Sequence, residues 1–163
     1  MPLFQDPAAF QQKLAGLPAM KYQAGENVLT AGSKTGKLFF LKSGAVEVTK
    51  DGVQIAQVST PGAVFGELAA LLDQRHSADV RALEQSEFLV ADAPTLLAID
   101  PAVALYVAAI LARRLDSANR ALLEITQQLR AGESRSAIAK KVEKVEGLLM
   151  FPLGGYDSVG PTE

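Results

Sequence analysis

Between Lys21 and Asp92 the sequence consists of short apolar runs parted by glycines and polar turn residues, a rhythm that suits β-strands and cannot fill a long helix. The runs are Glu26 to Thr30, Lys37 to Leu41, Ala45 to Thr49, Val53 to Val58, Ala63 to Phe65, Ala78 to Ala82 and Glu87 to Ala91. Such spacing predicts an antiparallel sheet closed as a jelly roll or barrel-like sandwich. Lys50-Asp51-Gly52 lies between two alternating runs, and Asp-Gly supplies the positive φ angles that a tight hairpin needs.

Helical patterns flank this region, so the predicted class is α+β. Asp6-Pro7 reads as a helix start, followed by Phe10, Leu14 and Leu17 on one face. Inside the β region, Glu67 to Leu72 favours a short helix. After Asp92, Pro94 opens a short helix to Ile99, and Asp100-Pro101 caps a long one that runs to about Arg130, before Gly132. Val103, Val107 and Ile110 are predicted to face the domain. Leu111, Leu115, Ala118, Leu122, Ile125 and Leu129 alternate spacings of four and three, the heptad seam of a coiled coil. This seam predicts a homodimer through the 101–130 helix; the alternative is that the same stripe packs on the β domain. A further amphipathic helix, Ser134 to Met150, sets Ile138, Val142, Val145 and Leu149 against Lys140, Lys141 and Lys144. The glycines and prolines from Phe151 onward suggest a mobile tail. The expected division is 1–130 for the domain with its long helix and 131–163 for the appendage.

Composition narrows the function. The 163 residues allow one ordinary domain with a helical addition. Sixteen Lys and Arg against eighteen Asp and Glu leave a net charge of −2, with no basic field to hold DNA. Arg135, Lys140, Lys141 and Lys144 are outnumbered after residue 130 by Glu133, Glu143, Glu146, Asp157 and Glu163, so no DNA-binding helix-turn-helix is expected there. The chain has no cysteine and a single histidine, His76, which removes disulfides, thiolate metal sites and most zinc arrangements. Ser77 beside His76 makes no nucleophile and base on one strand face, and no acid-base carboxylate pair is visible. The expectation is therefore no enzyme, no metal and no cofactor. No targeting segment or membrane span is legible, and the expected location is the cytoplasm.

The stretch Pro61-Gly62-Ala63-Val64-Phe65-Gly66-Glu67-Leu68-Ala69 places a glycine before a helix start. Unpaired amides and the positive helix end there suit a phosphate, and Glu67 can accept from a neighbouring sugar hydroxyl. The alternative is a glutamate that only complements the helix dipole.

The ordered glycines Gly25, Gly32, Gly36, Gly44 and Gly52, with Phe39-Phe40, Val46-Glu47-Val48, Phe65-Gly66-Glu67-Leu68-Ala69 and Ser77-Ala78-Asp79-Val80-Arg81-Ala82, carry a close resemblance. Over about residues 10 to 130 the chain resembles the cyclic nucleotide-binding domain family, which includes the sensor half of the catabolite activator protein. The resemblance implies a ligand site of Phe65, Gly66, Glu67, Leu68, Ala69, Arg75, His76, Ser77, Ala78, Arg114 and Asn119. Gly66 with the amides of Glu67 and Leu68 would hold the cyclic phosphate, Glu67 the ribose 2′-hydroxyl, and Ser77 would add a hydroxyl. Arg113-Arg114-Leu115 resembles the activator's dimer helix, which puts Ala118 and Asn119 where a base is contacted across the dimer.

One position departs from the family. His76 stands where the family has the arginine that grips the phosphate, with Arg75 just before it. Three outcomes stay open: His76 contacts the phosphate and binding tightens as pH falls, Arg75 reaches in by a local shift, or the pocket has lost mononucleotide binding. The resulting expectation is a stand-alone cyclic nucleotide sensor that prefers cAMP to cGMP, because position 77 is not threonine, and that signals to an unidentified protein partner. The alternative is a degenerate domain that serves as a dimeric interaction module, or that takes another ligand such as cyclic di-GMP.

Overall fold

The structure, a computed structural model, describes residues 7–132 and 134–150. Among them, eight strands form two four-stranded antiparallel sheets. One sheet orders β1 (Ala19–Tyr22), β8 (Ser86–Asp92), β3 (Lys37–Ser43) and β6 (Val64–Phe65). The other orders β2 (Asn27–Leu29), β7 (Asp79–Ala82), β4 (Val46–Lys50) and β5 (Val53–Val58). The expected jelly-roll type of α+β fold is present, and each of the seven runs forms a strand. β1 is an addition: Ala19 to Lys21 are exposed on the sheet edge, so no apolar pattern announces it.

The two sheets solve burial differently. In β3 the unbroken run Leu38-Phe39-Phe40-Leu41 is buried on both faces. Phe39 and Leu41 join Val46, Val48, Val80 and Phe88 between the sheets, while Leu38 and Phe40 join Phe10, Leu14, Val103, Val107 and Ile110 beneath the helices. A strand covered on both sides must be apolar at every position, and each such side chain contributes about 1.5–3 kcal/mol relative to exposure. In β4, by contrast, Val46 and Val48 are buried while the intervening Glu47 faces outward to meet Arg81 at 3.0 Å. The hairpin to β5 turns on Asp51 and Gly52, both at positive φ (52° and 79°), as the dipeptide requires.

α1 (Pro7–Leu14) lies against the β3 face, and its expected cap, Asp6, falls outside the described residues. α2 (Glu67–Leu71) interrupts the β region between β6 and β7. α3 (Ala93–Ile99) starts one residue before Pro94, because Asp92 accepts from the Thr95 amide at 3.0 Å. α4 (Pro101–Ala131) starts at Asp100, which accepts from the Ala102 amide at 2.9 Å, and ends at Gly132 with φ 75°. α5 (Arg135–Met150) folds back along α4, with Lys141 3.3 Å from Glu124, and also touches β5.

The stripe on α4 is divided between partners. Val103, Val107 and Ile110 face the domain as expected, with Leu111 partly buried at its edge. Ala118 and Ile125 are instead covered by Val145 and Ile138 of α5, a partner for the seam that the heptad reading did not consider. Leu115, Leu122 and Leu129 remain exposed. On α5 itself Val142 is exposed; the side chains of Lys144 and Leu149, and the tail from Phe151, lie outside what is described. No single described helix is long and apolar enough to cross a bilayer; α3 and α4 reach that length and apolarity only together, across a 111° bend.

Candidate functional site

β6 ends at Phe65, which packs edge-on against Phe88 in the core at 5.7 Å. The chain then turns at Gly66 (φ 83°, ψ 0°) and enters α2. A Cβ at Gly66 would stand 2.7 Å from the Lys37 carbonyl oxygen, so both the left-handed turn and the contact with β3 need glycine here. The first amides of α2 have no earlier helical partner, and the residues that carry them line a cavity of about 50 Å³. Phe65, Gly66, Glu67, Leu68 and Ala69 line one side of the cavity; Arg75, His76, Ser77 and Ala78 line the other. Nine of the eleven residues singled out from the sequence thus come together. Leu29, Gln74 and Val80 complete the wall and were not foreseen.

Glu67 is only 3% exposed, and its carboxylate accepts from Nη1 of Arg114, itself 2% exposed. Nη2 of Arg114 lies 3.4 Å from the Val64 carbonyl oxygen. Burial pushes the Glu67 carboxyl above its usual range, opposed by the guanidinium charge and its hydrogen bond. A charge buried this deeply is tolerated only with a partner, so the pair fastens α2 to α4. Arg114 therefore meets the site through Glu67, behind the cavity wall.

His76 is buried. Its Nε2 shares a hydrogen bond with Thr35 Oγ1 at 2.9 Å, and its backbone amide donates to the Ser33 carbonyl at 2.8 Å. Burial holds the imidazole pKa below the usual histidine value, which favours the neutral ring. Thr35 is 41 residues away in sequence, and only its place in the loop before Gly36 marks it. Arg75 is exposed at the rim, with Nη1 donating to the Gly32 carbonyl at 2.7 Å. Strict strand alternation does not govern this pair: β7 begins only at Asp79, and both residues line the cavity. Ser77 is exposed beside them, and Ala78 is buried beneath. Asn119 sits exposed on α4 and does not line the cavity.

Chemically, the cavity offers amides at a helix start, a buried carboxylate, a hydroxyl and a guanidinium. That set suits a small phosphate ester bearing a sugar hydroxyl.

The family model described as "Cyclic nucleotide-binding domain" matches residues 19–99. Over 79 residues the chain is 37% identical to a cAMP-dependent protein kinase regulatory subunit of Yarrowia lipolytica, covering 48% of this chain and 21% of that protein. Over 60 residues it is 55% identical to Glutaminase 1 of Bradyrhizobium diazoefficiens, covering 36% of this chain and 10% of that protein. The alignments span between 10% and 21% of the curated relatives' lengths. Among solved structures, the Thermus thermophilus catabolite activator protein superposes with a TM-score of 0.59 at 26% identity, over 89% of this chain and 82% of that one. The two-sheet fold, the Gly66 turn into α2 and the family match agree: the β region at residues 19–99 belongs to the cyclic nucleotide-binding domain family, and its fold is that of a regulatory module.

Proposed function

We propose that the chain is a cyclic nucleotide-responsive regulator that takes cAMP in preference to cGMP. It acts without chemistry of its own, as a homodimer through the 101–130 helix, and signals to a protein partner in the cytoplasm rather than to DNA or a membrane. Residues 1–130 form the sensor unit and 131–163 its appendage. The observation that carries this reading is the Glu67–Arg114 pair. Core packing gives no reason to bury a carboxylate, whereas a ligand hydroxyl that engages Glu67 acts directly on the residue anchoring α4. The preference for cAMP draws on the kinase regulatory subunit that the chain resembles and on serine, not threonine, at position 77.

In this reading Gly66 and the amides of Glu67 and Leu68 receive the cyclic phosphate, Ser77 adds its hydroxyl, and Glu67 takes the ribose 2′-hydroxyl. Phe65, Ala69 and Ala78 shape the walls. Arg75, already at the rim, supplies the cationic contact by leaving the Gly32 carbonyl, while neutral His76 stays with Thr35.

Isothermal titration with cAMP and cGMP at about pH 6 and pH 8, which bracket the reference histidine value, tests this. Tighter binding of cAMP at similar strength in both buffers is expected, with Arg75→Ala losing more affinity than His76→Gln. Clear tightening at the lower pH would move the phosphate contact to His76. Absence of heat and of thermal stabilisation would favour the second reading, an interaction module with a degenerate pocket. The small cavity, about 50 Å³ against the roughly 300 Å³ at which small-molecule sites begin, speaks for that second reading and against a ligand as large as cyclic di-GMP. Under the second reading Glu67→Ala leaves partner binding unchanged.

A further inference from the structure

The α4 seam consists of two rows at seven-residue intervals. Leu111, Ala118 and Ile125 form one row, and Leu115, Leu122 and Leu129 the other. In the first row Ala118 and Ile125 are 2% and 8% exposed, covered by Ile138 and Val145 of α5. The second row is 58%, 54% and 59% exposed. A two-helix heptad seam needs both rows against the same partner, and α5 engages only one of them.

The apolar part of the α4–α5 contact is built from small and medium side chains. Among the described side chains it consists of Ala118, Ala121, Ile125, Ile138 and Val145, flanked by the Lys141–Glu124 pair, and Gln128 on α4 has its side-chain oxygen buried without a hydrogen-bond partner among the described residues. Small side chains and an unsatisfied polar atom both weaken such a contact. The flanks of the seam indicate which partner fits better. From Leu115 to Leu129 the positions bordering the seam are Asn119, Ala121, Thr126 and Gln128, all uncharged, while Asp116, Arg120 and Glu124 lie on the outer side. Two copies of this helix meet without like-charge opposition, whereas an acidic or basic peptide finds no counter-charge along the seam.

We propose that α5 masks a self-association surface: the Ala118–Ile125 row is covered either by α5 of the same chain or by α4 of a second copy, and the two states exclude one another. Occupancy of the pocket sets the balance, because Arg114 lies one helical turn before Ala118 on the same stripe and holds Glu67. This control step rests on the nucleotide reading above; the competition itself does not.

The absence of cysteine allows clean labelling. Spin labels at Gln127→Cys and Lys140→Cys in the full chain report whether α5 is docked, and sedimentation velocity reports self-association. Without nucleotide the expected result is a monomer with a short label separation, the homodimer of the proposed function being the nucleotide-bound state. Val145→Asp lengthens the separation and produces a dimer, and adding Leu122→Asp restores the monomer while the separation stays long. Ile138→Asp, on the same face of α5, serves if the first variant fails to fold. The competition is overturned by a dimer that keeps the short separation, by undocking of α5 without self-association, or by a Val145→Asp dimer indifferent to Leu122→Asp. In the nucleotide arm, saturating cAMP lengthens the separation and tightens dimerisation by about tenfold or more. Binding heat with neither change overturns the control step, whereas no binding heat at all counts against the nucleotide reading and leaves the competition to be judged on Val145→Asp.

Discussion

The first and second halves of α4 carry one continuous stripe, yet they lie in unlike surroundings. Val103, Val107 and Ile110 sit against the double-covered strand β3, in a cluster with Phe10, Phe40 and Leu89. Among the described side chains, Ala118 and Ile125 are covered by Ile138 and Val145 of a single neighbouring helix. Arg114, at the boundary, pairs with Glu67 of α2. Helical periodicity reports which face of a helix is apolar and says nothing of what covers it, so one pattern serves both an anchored half and a releasable one.

Substitutions along the helix put that contrast at risk. Arg114→Ala should have the largest effect, about 3–5 kcal/mol in urea unfolding near neutral pH, since it strands a buried carboxylate. The loss should shrink in acid: burial already pushes Glu67 up, so without its partner it takes a proton and the buried charge disappears. A deficit independent of pH would mean that Arg114 matters for packing alone. Next comes Ile110→Ala, expected to cost about 3 kcal/mol and to lower the whole unfolding midpoint. Ile125→Ala should move the global midpoint by less than about 1 kcal/mol while amide protection in α5 falls sharply. Equal shifts for the two isoleucines would erase the distinction between the halves. The smallest effect concerns His76, which lies off the helix. Its folded-state pKa is depressed by burial below the unfolded value, so its contribution is present above the unfolded pKa and fades as pH falls through the folded one. Wild-type melting temperature should therefore decline on acidification below about pH 6.5, and His76→Gln should flatten that slope without altering the order of the other three.

The sequence disclosed the strands through different signals. β3 was visible because burial on both faces demands four consecutive apolar residues, and β4 because burial on one face demands alternation. β1 left no such trace: three of its four residues are exposed, and it is held mainly by pairing with β8. The site divides in the same manner. The Gly66-Glu67 turn is local and readable as a motif, whereas the Thr35 partner of His76 and the Arg114 partner of Glu67 lie 41 and 47 residues away, where no periodicity reaches. The resemblance places Arg114 among the ligand contacts; in the structure its guanidinium donates to the Glu67 carboxylate. The α4 seam was legible in spacing and ambiguous in partner, because a sheet, a neighbouring helix and a second copy all ask for the same apolar positions.

Gly66 has a consequence for how variation at this site should be read. Its left-handed backbone and the 2.7 Å approach of the Lys37 carbonyl oxygen each exclude a side chain independently of any ligand. A survey of tolerated replacements would find position 66 closed even in a domain that binds nothing, so glycine there testifies to the fold. Position 67 is informative only together with position 114: a small apolar residue would fit the backbone equally well but would leave the buried Arg114 guanidinium without its carboxylate, so the two letters should vary as a pair.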